Sequence, residues 1–169
     1  MNRLQFDFLI NKDNNTLTII REFNAERQLV WDCYTKSELL EKWFAPKPLT
    51  AKTNTMNFKE GGYWLYAMIE PNGTEHWGRT DFTEIKPIDY YKSLDGFCDE
   101  NGTLNPNMPR AKWHVSFLDL NEKSKVETIV SYNSLKDLET IIEMGMEDGL
   151  KSTLKRLDEL LENLKNEKE

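Results

Sequence analysis

Cysteine and histidine are scarce in this chain, with two of each in 169 residues. Cys33 and Cys98 cannot build a disulfide framework, and no C-x-x-C pair is present. His76 and His114 have no second histidine or cysteine at zinc-ligand spacing. Asp99 and Glu100 beside Cys98 are the nearest approach to a metal cluster. They equally argue against a nucleophile, because an acidic setting raises a thiol's pKa.

Other absences narrow the function further. There is no glycine-rich phosphate loop and no nucleophile elbow, so no cofactor is implied. There is no Lys/Arg-rich run, and the net charge is -7, which excludes nucleic acid and anionic membranes as main partners. No apolar run approaches the ~18 residues of a membrane span. The N-terminal apolar stretch contains Asp7 and lacks a small-residue cleavage site, so it does not read as a signal peptide. A cytoplasmic protein with free thiols is expected. On that reading the sequons at Asn14, Asn72 and Asn101 are turns.

What the chain does have is aromatic residues: five Trp, six Tyr and eight Phe, within a hydrophobic content of 38%. That is enough for one core, and a single domain over residues 1–169 is expected.

Leu4–Ile10 and Thr16–Glu22 read as successive strands across the polar cluster Asn11–Asn15. Asn24 is a candidate helix cap for Ala25–Tyr34, and Ser37 for a second short helix carrying Leu39, Leu40, Trp43 and Phe44. Pro46 and Pro48 end it. The period then changes to two. Strands are predicted over Thr50–Phe58, Tyr63–Glu70, Glu75–Ile85 and Tyr90–Cys98, with Pro71-Asn72-Gly73 as a hairpin turn. Asp99–Arg110 is a loop, and Ala111–Leu120 with Val126–Asn133 forms a last hairpin.

Ser134 opens a helical pattern that runs to about Asn166. Leu150, Leu154, Leu157, Leu161 and Leu164 make its apolar stripe. Gly145 and Gly149 sit one turn apart, and each costs about 1 kcal/mol in a helix interior. Either something approaches closely there or the helix breaks near Gly145. Strands followed by helices indicate an α+β fold: an antiparallel meander covered by the long C-terminal helix.

Five motifs in order resemble a known family. They are Arg21-Glu22-Phe23-Asn24-Ala25 with Val30-Trp31, then Leu40-x-x-Trp43-Phe44, then Gly61-Gly62-x-Trp64-x-Tyr66-x-Met68 closed by Pro71-Asn72-Gly73, then Glu84-Ile85-x-Pro87, then Gly145-x-x-x-Gly149 with Leu154 and Leu157. Together they are similar to the family named for the activator of heat-shock-protein ATPase, in the START-like (SRPBCC) superfamily. The chain departs from many relatives in having Leu150 after the second glycine and an acidic loop from Cys98.

The resemblance implies a helix-grip fold with an apolar cavity between sheet and C-terminal helix. It also implies three functional readings: a binder of a small apolar molecule, a chaperone-associated module, or a polyketide-cyclase-like enzyme. The binder is favoured over an enzyme. Ligand contacts are expected from Trp43, Phe44, Trp64, Tyr66, Met68, Phe82, Trp113, Phe117, Met146 and Gly149, with Trp43, Phe44 and Met146 near the mouth. The alternative for each aromatic is core packing. Arg79, Asp81, Glu84 and Asp95 lie on central strands, where one buried charge would orient a polar group or act as acid or base. Otherwise they form structural ion pairs.

Overall fold

A computed structural model describes residues 3–167. Eight strands form one antiparallel sheet: β1 (Phe6–Asn11), β2 (Thr16–Phe23), β3 (Thr50–Met56), β4 (Tyr63–Ile69), β5 (Glu75–Lys86), β6 (Tyr90–Cys98), β7 (Ala111–Leu120) and β8 (Lys123–Tyr132). Their order is β1-β2-β8-β7-β6-β5-β4-β3. The first hairpin therefore adds to the last strand, with Leu17 opposite Val130. The chain crosses from β2 to the far edge through α1 (Arg27–Thr35) and α2 (Ser37–Leu40), then returns strand by strand. This is the helix-grip fold.

Local chemistry explains the elements and the departures from expectation. The first helix begins at Arg27, two residues after the predicted start. Ala25 is buried, so the chain first folds that residue into the core, and the Asn24 carbonyl instead accepts from Lys165 Nζ at 2.9 Å. Lys36, not Ser37, caps the second helix, which stops at Leu40. Trp43 and Phe44 lie in the turns beyond it, because the Trp43 indole is drawn down to donate to the Cys33 carbonyl at 2.9 Å. The third strand stops at Met56, short of Phe58, and the last begins at Lys123, earlier than expected.

The C-terminal helical pattern is two helices, α3 (Leu135–Glu143) and α4 (Met146–Glu167). Ser134 caps the first, accepting from the Asp137 amide at 3.1 Å. The break falls at Gly145, whose φ of +87° is the left-handed conformation that ends helices.

Thr153, Leu154, Leu157, Leu160 and Leu161 bury the inner side of the second helix. It packs into a cluster with Phe23, Trp31, Trp64, Phe82 and Phe117. A second cluster of Leu17, Ile19, Ala111, Val130, Tyr132 and Leu138 lies beneath α3. Leu150 packs against both clusters, at the junction between them. Arg156 ties α4 to the loop before β3, donating to the carbonyls of Ala45 at 2.5 Å and Leu49 at 2.8 Å.

The loop from Asp99 to Arg110 lies on the outer face of the sheet. Arg79 donates to the Gly102 carbonyl at 3.3 Å, and Gly102 is buried against Leu65. Asp81 accepts from Arg79 Nε at 2.9 Å and also from Arg110. Among the described residues, no helix is long and apolar enough to cross a membrane.

Candidate functional site

Strands alternate their side chains between two faces. On β4 this turns Trp64, Tyr66 and Met68 inward, and on β6 it turns Tyr91, Ser93, Asp95 and Phe97 inward. On β7, Trp113 and Val115 point the same way. These side chains face the α3–α4 junction across a cavity of about 390 Å³. That volume lies within the ~300–1,000 Å³ range of small-molecule sites.

Nine of the ten expected contact residues line the cavity: Trp43, Phe44, Trp64, Tyr66, Met68, Phe82, Trp113, Met146 and Gly149. Phe117 does not. It lies in the core behind the wall, edge-on to Trp31 at 5.0 Å and to Tyr34 at 5.3 Å, because α1 packs over this end of β7. Trp43 is 3% exposed and belongs to the inner wall, not the mouth, since its indole is held by Cys33. The exposed lining residues Phe97, Met144 and Gly145 mark the opening. A β-carbon on Gly149 would meet nothing within 4 Å, so this glycine leaves space on the helix edge beside that opening.

The aromatic wall is ordered by edge and stacking contacts. Trp64 stacks on Tyr66 with centroids 4.0 Å apart, and Phe44 stands edge-on to both, at 4.9 and 5.4 Å. The Trp64 indole donates to Thr53 Oγ1 at 3.0 Å, which fixes its plane. Tyr66 lies flat across the sheet because its cross-strand partner is Gly78. A β-carbon there would sit 2.5 Å from the tyrosine ring.

Few charges reach this wall. Arg21 does, but its guanidinium is engaged by Asp158 at 2.5 and 3.1 Å. Of the four central-strand charges singled out from sequence, Arg79 and Asp81 pair on the outer face, and Glu84 accepts from Tyr90 there. Asp95 alone points into the cavity. Its carboxylate accepts from the Ala111 amide and the Trp113 indole, each at 2.8 Å. Burial pushes its pKa up, against the lowering effect of those two donors.

Tyr34 and Tyr91 line the cavity without having been singled out from the sequence. Burial also raises the phenols of Tyr34, Tyr66 and Tyr91 well above the usual range, and Asp95 adds to the effect at Tyr66. The signal for Tyr91 was its two-residue spacing from Ser93 and Asp95. Tyr34 carried none, because a helical tyrosine next to a buried cysteine reads as core.

His76 and His114 lie elsewhere. His76 sits against Glu70 at 2.8 Å on the surface, and His114 beside the Tyr90 ring. Cys33 is buried and Cys98 half-buried, both as free thiols. Among the described residues, no three His, Cys, Asp or Glu side chains are grouped to hold a metal.

A family model described as activator of Hsp90 ATPase homolog 1-like protein matches residues 24–162. A solution structure of an Arthrobacter aurescens protein is similar at 27% identity, covering 93% of this chain and 91% of that one, with a TM-score of 0.87. A crystal structure of a Mycobacterium smegmatis protein is similar at 27% identity, covering 94% and 97%, with a TM-score of 0.85. A Staphylococcus epidermidis protein is similar at 28% identity, covering 91% and 93%, with a TM-score of 0.80. No match was found among curated proteins.

Proposed function

The chain belongs to the activator of Hsp90 ATPase homolog 1-like family, and we propose that it is a cytoplasmic binding protein for a small apolar molecule held between the sheet and the C-terminal helices. One observation carries this reading. The cavity of about 390 Å³ is walled by stacked aromatic rings and opens beside two glycines. A dry apolar cavity binds apolar molecules, because filling it restores dispersion contacts that its walls otherwise lack.

The chaperone-associated reading rests on the family description and needs no cavity. A cyclase-like reading draws on Asp95, the cavity-facing carboxylate, as a candidate acid or base. The apolar wall favours binding over both.

The test is titration with an environment-sensitive apolar dye, comparing the native protein with Gly149→Phe. A side chain fits at residue 149 without backbone strain, since Gly149 has an ordinary φ and open space around it. Saturable binding that the substitution abolishes, while the circular dichroism spectrum is unchanged, supports the reading. Absence of binding to the native protein refutes it.

A further inference from the structure

Asp95 occupies an unusual position for a carboxylate. It faces an apolar cavity, and among the described residues no cation lies within ion-pair distance of it. The nearest arginine, Arg110, gives its Nε to the Asp95 backbone carbonyl at 2.9 Å and another nitrogen to Asp81. An ionised carboxylate has about four acceptor sites. The Ala111 amide and Trp113 indole fill two of them, one on each oxygen, and both donors come from β7. Asp95 itself is one of the residues lining the cavity.

A second polar group reaches the same place. The Tyr66 ring lies over Gly78, with its hydroxyl end closest to that glycine. Gly78 pairs with Phe97 on the next strand, and Asp95 is the adjacent inward position there. The flat ring thus carries its hydroxyl across β5 toward the carboxylate. Among the described residues, nothing hydrogen-bonds that hydroxyl, and it is not sealed away either, since Ser124 Oγ is the one buried side-chain polar atom left without a partner. Tyr66 is one of the residues lining the cavity.

From this geometry we infer that Asp95 and Tyr66 form a recognition point for an alcohol or phenol hydroxyl on the bound apolar molecule. A hydroxyl donates to the carboxylate and accepts from the phenol, which satisfies both residues at once. An ammonium would also satisfy Asp95, but a neutral hydroxyl enters without stripping water from a charge. A ligand carboxylate would face Asp95 with like charge. The inference deepens the binding reading above and rests on it.

Four matched probes separate the possibilities: 2-methylnaphthalene, 2-naphthylmethanol, 2-naphthylmethylamine and 2-naphthoate, each titrated into the native protein. The expected result is that the alcohol binds at least about tenfold more tightly than the methyl compound, and that 2-naphthoate binds worst. In Tyr66→Phe, which keeps the ring, the alcohol's advantage should fall below about threefold. Asp95→Asn should remove it, but the asparagine cannot accept from both Ala111 and Trp113, so the phenylalanine variant is the control for a folding failure. Equal binding of alcohol and methyl compound overturns the inference and leaves the cavity reading standing. Tighter binding of the amine overturns the hydroxyl assignment. No binding by any probe removes both readings.

Discussion

Tyr66 and Gly78 face each other across β4 and β5, and the tyrosine ring fills the space that a side chain at 78 would need. This pairing lays the ring flat, stacks it on Trp64 and makes the cavity floor. Gly78→Ala should keep the fold but tip Tyr66 upright into the cavity. The expected costs are about 1–3 kcal/mol of stability from overpacking and loss of dye binding. Unchanged stability and unchanged binding would show that the ring does not need this glycine.

The two glycines of the C-terminal region should respond in opposite directions. Gly145 has φ +87°, so Gly145→Ala should lose about 1–2 kcal/mol from left-handed strain. Gly149 is helical with open space at its β-carbon, so Gly149→Ala should gain about 0.5–1 kcal/mol from helix propensity. Urea denaturation of both variants checks the pair. Destabilisation by Gly149→Ala would mean that another group occupies that space.

Leu157 is fully buried at the centre of the larger cluster. Leu157→Ala should cost about 2–5 kcal/mol as a core truncation. A loss under about 0.5 kcal/mol, typical of surface sites, would contradict the packing of α4.

Alkali should unfold the protein. Burial pushes the Cys33 thiol up to about 12, and it raises the phenols of Tyr34, Tyr66 and Tyr91 further above their ordinary values. Between the unfolded and folded pKa values, the folded state holds protons that the unfolded state releases. Their contribution is therefore complete below about pH 9 and is lost as pH rises toward the folded values. The urea midpoint should be level from pH 7 to about 9 and fall above that. A midpoint that rises or stays level up to pH 11 would contradict these burials.

Much of this was legible in the sequence because the strands alternate over most of their length, with register shifts only at Thr53/Thr55 and Phe82/Glu84 among the described residues. Period two puts Trp64, Tyr66 and Met68 on one face and the family resemblance turns that face inward, while the Leu154–Leu157–Leu161 stripe follows from helical spacing. The break at Gly145 was not decidable, because a glycine in a helical pattern serves either close packing or a left-handed cap. Phe117 shares the inward face of β7 with Trp113 and Val115, and periodicity cannot say that α1 covers it. Period two groups Asp95 with Tyr91 and Ser93, but the partners that hold its carboxylate were hidden, because Ala111 and Trp113 lie sixteen and eighteen residues away.

The five tryptophans offer the most direct test of the central claim. Trp43, Trp64 and Trp113 line the cavity, while Trp31 and Trp77 do not. Their indole N–H resonances can be followed individually while 2-methylnaphthalene is titrated into the ¹⁵N-labelled protein. Saturable shifts at the first three, with the signals of Trp31 and Trp77 almost still, are the predicted result. No shift, or shifts led by Trp77 on the outer face, would contradict a ligand held inside the fold.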